Sequence, residues 1–396
     1  MAIRFLMNLF FILTLIDVSA QPNVFILNGS HLQTIKNKLQ QRDQETVILV
    51  DKLKKPADEL LDMKLISVTD KSFVPASGNK HDYMSLAPYF WYDSTKPNGL
   101  PYMRKDGERN PEIYKITDHK YLSDLDNATQ ILSLAYYLTG EEKYAGKAAS
   151  LLKHWFFDKD FKMNPNLDYA QAIPGKNNGR GIGIIETRSL TGIADAAGLL
   201  ANSKAWTNSD TKSLQDWYAQ FLNWMLTSKN GNDEHTAQNN HGTWFLVQAI
   251  DYALFTGNKS EALKLSEEGR DEIDRQITSE GKMPLELERT NALGYSTFNL
   301  DALFTLASLA EKSGVDLWHY KNVNGTGLQT ILDWIIPYAL DEKKWDYKQI
   351  VKYNNVELYP LLITAADKFK QPSYRTETNS ITPPDNNVLI HLLFED

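Results

Sequence analysis

A chain of 396 residues with a net charge of −8 and no cysteine excludes a disulfide-stapled scaffold and thiolate metal centres, and argues against a nucleic-acid partner. Stability must come from a packed core, for which 42% hydrophobic residues, with 9 Trp, 19 Tyr and 16 Phe, supply the material. An anionic polymer could be held only by a local basic cluster, not by the charge of the whole.

Residues 1–20, MAIRFLMNLFFILTLIDVSA, combine Arg4, an apolar run from Phe5 to Ile16 and the small-residue ending Val18-Ser19-Ala20. This is the pattern of a secretory signal peptide cut after Ala20, since the run is shorter than the ~20 residues that span a bilayer. The mature chain is expected to be soluble, without a membrane span, and periplasmic or secreted. Residues 21–71 are expected to form an N-terminal helical segment, with helices at 31–41 and 58–63, packed on the larger helical domain downstream.

From residue 120 the apolar spacing is helical and repeated. Residues 127–156 read as helix, Thr139-Gly140 turn, helix, and 245–273 have the same build around Thr256-Gly257. Two further pairs, 188–203 with 210–228 and 298–313 with 327–340, fit the template. These are αα-hairpins, whose apolar stripes need neighbours, and strand signals are sparse. Such a row can form a bundle, a solenoid or a closed toroid. In any of these the first helices run the same way, so the long segments before them share one face: 72–118, 164–187, 239–241 and 286–296. Long loops in a compact domain are more often functional than idle. Residues 72–370 are expected to be one domain, and 371–396, polar and proline-bearing, a surface strap.

Four stretches on that face carry chemistry. Asn239-Asn240-His241-Gly242-Thr243-Trp244 has more polar groups than a helix cap needs, and offers an amide and an imidazole as carboxylate partner and base. ELERTNALGYSTFNL (286–300) places Arg289 and Tyr295 before a helix expected to begin near Ser296. A guanidinium and a helix N-terminus both favour phenolate, making Tyr295 a candidate for proton transfer, although such pairs also stack simply for packing. The loop 80–112 holds Lys80, Tyr83, Tyr89, Phe90, Trp91, Tyr92 and Tyr102, either pinning itself or stacking on sugar rings. NNGRGIGIIETRSL (177–190) lacks a dinucleotide fingerprint, and its glycines suit close backbone approach with Arg180, Glu186 or Arg188 facing the site. No convincing metal spacing occurs.

HDYMSLAPYFWYD, GLPYMRKDGERNPE, NNHGTW and ERTNALGYSTFNL, in this order from about Ser67 to about Leu340, resemble the alginate lyase superfamily of polysaccharide lyases. The resemblance implies an all-α fold, an incomplete (α/α) toroid of helical hairpins, and β-elimination on an anionic uronate polymer without a cofactor. It matches the catalytic asparagine, histidine, arginine and tyrosine to Asn240, His241, Arg289 and Tyr295. The substrate-binding set is then Lys80, Tyr83, Tyr89, Trp91, Arg180, Glu186, Asn239 and Trp244. The last motif departs from the better-known members, with Asn291 near their second arginine and Ser296 after the tyrosine, so mannuronate, guluronate and glucuronate polymers all stay open. Two other classes compete: a toroid glycoside hydrolase using two of Asp93, Glu186, Glu286 and Glu288, and a non-catalytic exported glycan-binding protein.

Overall fold

Helix formation begins where Asn28 caps α1 (Gly29–Gln40) and Asp43 caps α2 (Gln44–Leu60), each side chain accepting a backbone N–H of the first turn. The computed structural model describes residues 21–384 and 387–394, so the expected signal peptide lies outside the described residues. The helix expected at 58–63 is the end of the longer α2. Thr46, Val50, Leu53 and Ala57 form its buried stripe, which outweighs the hydrogen bond that Pro56 cannot donate.

The four hairpins form as expected. They are α3 (Asp118–Thr139) with α4 (Glu142–Phe156), and α5 (Leu190–Leu199) with α6 (Asn208–Thr227). A short α7 (Lys229–His235) precedes α8 (Asn240–Phe255) and α9 (Lys259–Gln276), and a one-turn α10 (Pro284–Leu287) precedes α11 (Ala292–Lys312) and α12 (Leu328–Ala339). Gly140 ends α3 at φ 73°, a left-handed conformation that glycine adopts without Cβ strain. Helices α3, α5, α8 and α11 pack on one another in that order, and α4, α9 and α12 each pack behind their hairpin partner. Burial follows this layering. Helix α8 is buried on almost every side, whereas α9 buries only the stripe Ala262, Leu265, Ser266, Gly269, Glu272, Ile273 and Gln276. An inner row of apolar helices inside an amphipathic outer row is the incomplete (α/α) toroid.

The N-terminal segment is bolted to this toroid. The backbone N–H groups of Phe25, Ile26 and Leu27 all donate to the Asp195 carboxylate on α5, and Lys71 pairs with Asp118 at 2.9 Å with both side chains fully buried. The tail is more than the expected strap. After α13 (Tyr359–Lys368) and α14 (Ser373–Glu377) it buries Tyr374, Ile381, Val388 and Leu392, and its last helix α15 (Val388–Phe394) packs on α1, α2 and α13. Apolar anchors in a polar segment outweigh its average composition. Among the described residues, no helix is long and apolar enough to cross a membrane.

Four short strands lie on the face where the inner helices begin. Strand β1 (Met84–Leu86) pairs in parallel with β4 (Tyr169–Ala172), and β2 (Phe90–Trp91) pairs antiparallel with β3 (Met103–Arg104). They tie the aromatic loop to the 164–187 loop. The four odd stretches do converge.

Candidate active site

Asn239 is the cap of α8: its side chain accepts the His241 backbone N–H at 3.3 Å. That leaves Asn240 and His241 in the first turn with other work. Glu286, on α10, accepts the Asn240 backbone N–H at 2.8 Å and lies 2.9 Å from Asn240 Nδ2 through each of its oxygens. Two oxygens of one carboxylate are too close together to take both divergent N–H bonds of a single amide nitrogen. One N–H therefore serves both, and the second is left over for a ligand. Burial raises the Glu286 carboxyl above its ordinary value, although the Asn240 bonds pull it down. His241 Nδ1 sits 2.7 Å from Glu234 Oε1 on α7.

Tyr295 lies inside the first turn of α11, which begins at Ala292 rather than near Ser296. Ser296 is fully buried and does not cap the helix. Tyr295 Oη is 2.8 Å from Tyr89 Oη, and the Arg289 guanidinium stands 3.7 Å over its ring. Arg289 is itself gripped by Asp106: Nε lies 3.2 Å from both carboxylate oxygens and Nη2 donates at 2.9 Å. The bonds to Asp106 use Nε and Nη2, leaving Nη1. Thr290 adds its backbone N–H and its hydroxyl to the same aspartate, so the loop carrying Tyr89 and Asp106 is anchored at the start of α11.

The setting of Tyr295 favours the neutral phenol over the expected phenolate. Burial pushes the phenol above its ordinary value, Arg289 pulls it back, and the Tyr89 hydroxyl and Asp106 carboxylate push it up again. Burial together with a nearby anion outweighs one cation already paired to that anion. The Asp106 carboxyl moves the other way. Burial would raise it, but the bonds from Arg289 and Thr290 hold it well below the usual carboxylate range.

The aromatic loop divides into buried and exposed members. Tyr83 is fully buried and donates at 2.8 Å to Glu186, which also accepts from Ser85 at 2.6 Å. Tyr83 and Glu186 are thus held in a buried hydrogen-bond network beneath the loop, not on its exposed face. Trp244 is likewise buried, packed on Phe298 with Arg188 stacked across both rings. Lys80 is exposed, reaching the Thr69 carbonyl at 3.4 Å, and makes no bond to the residues around Tyr295. Trp91 is half-buried, donates to the Glu108 carbonyl at 2.9 Å, and carries Lys105 over its ring. Tyr83→Phe should lower unfolding free energy by about 1.5–3 kcal/mol, the worth of a hydrogen bond to a charged group, and leave KM unchanged. Thermal unfolding beside steady-state kinetics checks both halves.

The glycines of 177–190 do allow close approach. A Cβ on Gly183 would lie 2.4 Å from Ala170 Cβ and one on Gly181 would lie 2.5 Å from the Asn230 carbonyl oxygen, so the turn is pressed between β4 and α7. This seats Arg180, which donates to Gln171 at 2.7 Å and stacks on Phe90. Arg180 and Arg104 are near enough to feel each other's charge. With Lys105 and Arg289 they form a local basic cluster of the kind an anionic chain would need. Among the described residues, no cluster of three or more histidine, aspartate or glutamate side chains is placed to hold a metal ion.

Comparison with known proteins meets this geometry. The family model described as alginate lyase matches residues 67–345. This chain belongs to the alginate lyase family. It is a polysaccharide lyase. Among solved structures, an alginate lyase from Bacteroides ovatus is 40% identical with a TM-score of 0.90, covering 94% of this chain and 99% of that one. Alginate lyase A1-III from Sphingomonas species A1 shares the fold at 16% identity and a TM-score of 0.57, covering 92% of this chain and 94% of that one. A histidine-to-alanine variant of A1-III complexed with a tetrasaccharide is also 16% identical, with a TM-score of 0.59, covering 96% of this chain and 98% of that one. No curated protein sequence matches the chain.

In this alginate lyase family member three of the four carboxyls of the competing hydrolase reading are committed to other partners. Asp93 accepts from the Thr95 backbone and hydroxyl, Glu186 from Tyr83 and Ser85, and Glu286 from Asn240, while Glu288 is exposed. Three groups escaped the sequence reading in their present roles: Asp106, Glu234 and Glu286. Asp106 and Glu286 stood inside motifs that were singled out, but their partners, Arg289 and Asn240, lie 183 and 46 positions away. Glu234 carried no such mark.

Proposed function

We propose that this lyase cleaves a uronate-containing polysaccharide, alginate first among the candidates, by β-elimination. The observation that carries the reading is the set of groups gathered at the adjoining starts of α8 and α11: the spare N–H of Asn240, Nη1 of Arg289 and Nε2 of His241, beside the Tyr295 phenol, whose only hydrogen-bond partner among the described residues is the Tyr89 hydroxyl. The 40%-identical relative named as an alginate lyase supports the choice of polymer. In this reaction the C5 proton is removed, the C4–O bond breaks, a C4–C5 double bond forms, and the departing O4 takes a proton. A C5 proton beside a carboxylate becomes acidic enough only when the charge developing on that carboxylate is stabilised. The spare Asn240 N–H and Arg289 Nη1 supply that stabilisation.

His241 takes the proton and Tyr295 gives one. The assignment follows from their states. A carboxylate on Nδ1 leaves Nε2 with its lone pair, and a phenol held above its ordinary value is a donor at neutral pH. Half-buried Trp91 and the cations Arg104, Lys105 and Arg180 would guide the neighbouring sugar units. The signal-like pattern of residues 1–20 favours export to the periplasm or beyond, which an N-terminus at Gln21 in the purified native protein would establish.

The decisive experiment incubates the protein with mannuronate blocks, guluronate blocks and glucuronan and follows ultraviolet absorbance. The expected result is growth of the C4–C5 double-bond band on at least one alginate block. New reducing ends without that band would mean hydrolysis and would overturn the proposal.

A further inference from the structure

The geometry points to Glu234 as the positioning residue that fixes His241 in its working tautomer, an inference that rests on the reading of His241 as the base. Glu234 ends α7, a helix seated against the 181–187 turn because Gly181 has no Cβ to meet the Asn230 carbonyl and the Glu234 backbone. Its side chain is 1% exposed, and its Oε1 meets His241 Nδ1 at 2.7 Å. Its other oxygen, Oε2, is buried without a hydrogen-bond partner among the described residues. A carboxylate taken from water this completely is costly, yet this one meets no lysine or arginine within 4 Å and its side chain bonds only the imidazole.

The other histidine–carboxylate pairs of the described residues are of another kind. Glu268 opposite His235 is 31% exposed, Asp158 opposite His154 is 42% exposed, and Asp316 opposite His319 is 61% exposed. Those carboxylates are open to solvent, which can replace the imidazole as their partner. Glu234 is not. An ionised carboxylate only accepts, so Nδ1 must carry the proton and Nε2 must present its lone pair. Glu234 and His241 lie on different helices, α7 ending at His235 and α8 beginning at Asn240, so the contact belongs to the packing of α7 on α8 and not to one helical turn.

The charged groups facing His241 are few. Glu234 approaches from α7 and Glu286 from α10, where its carboxyl feels the imidazole charge. Arg275 reaches from α9 to the Ala237 carbonyl beside Gly242, and Arg180 acts on Glu234 through its field. Removing the Glu234 charge therefore removes the one anion in contact with the ring, and an imidazolium loses its main support.

The test has two arms. In wild-type protein with ¹⁵N-histidine, the neutral His241 ring should show the proton on Nδ1 and a bare Nε2; a proton on Nε2 would overturn the inference without any variant. In the second arm, E234Q should lower kcat by about 10²-fold, the usual worth of a general base, with KM changed by less than about twofold. The acidic limb of its pH–rate profile should move to lower pH. Added to H241Q, the same substitution should cost nothing further, because it acts only through that ring. An equal loss in both backgrounds would make Glu234 a merely structural residue. A crippled H241Q beside an unaffected E234Q sinks this inference alone, whereas an H241Q enzyme with the wild-type rate sinks the base assignment as well. Should E234Q fail to fold, the wild-type spectrum decides.

Discussion

Tyr295→Phe is expected to lower kcat by at least about 10²-fold while the protein stays folded, because the ring keeps its place under Arg289 and only the proton-carrying oxygen is lost. The pH dependence states the role more sharply. Tyr295 works as the neutral phenol, and burial holds that form above its ordinary range. A group needed in its protonated form is lost as pH rises through its folded pKa. Wild-type activity should therefore persist beyond the ordinary phenol value of about 10 before it falls. If the rate instead climbs steadily through pH 10, phenolate is the working form and Tyr295 is the base. Retention of more than about a tenth of the wild-type rate in the Phe variant would remove Tyr295 from the chemistry altogether.

The hairpins were legible because their information is local. An apolar residue every three or four positions, stopped by Thr139-Gly140 or Thr256-Gly257, marks a helix and its end whatever surrounds it. Their shared polarity then put the segments before α3, α5, α8 and α11 on one face without a coordinate. Errors arose where tertiary packing outvoted local pattern. Pro56 lies within α2 because a buried stripe holds the helix on both sides of it, and the polar tail is anchored by four scattered apolar residues.

The sequence singled out four residues that the fold brings together, but not what holds them. Asn240, His241, Arg289 and Tyr295 are brought to the starts of two adjoining inner helices. What the sequence could not carry is who holds them. Asp106 reaches Arg289 across 183 positions and Glu286 reaches Asn240 across 46, distances at which residue type alone does not pair one acid with one partner. The pull against a phenolate was hidden for the same reason. A guanidinium near a phenol is readable in ERTNALGY, but its neutralisation by Asp106 and the burial of the ring are properties of the fold. Tyr83 and Trp244 show the reverse case, aromatics in a loop-face motif that packing turned inward.

Arg289→Lys should fail nearly as badly as removal of the side chain, with kcat/KM reduced by about 10²-fold or more. Three geometric demands meet at this residue. Nε and Nη2 grip Asp106, the guanidinium plane lies 3.7 Å over the Tyr295 ring, and Nη1 remains for the uronate carboxylate. A lysine ammonium is a point charge and can meet one of these demands at a time. If it pairs with Asp106 it leaves the substrate carboxylate, and if it turns to the substrate it leaves Asp106 held by Thr290 alone, loosening the loop that carries Tyr89. The loss should therefore appear in kcat as well as KM. Because Arg289 is the group that pulls the Tyr295 phenol down, its loss lets the phenol rise further, and the alkaline limb of the pH–rate profile should move to still higher pH. A lysine variant with most of the wild-type kcat, a raised KM and an unmoved limb would reduce Arg289 to a simple attractant for an anionic chain. The double grip by Asp106 argues otherwise, since a residue needed only for its charge would not be paired with a carboxylate that cancels it.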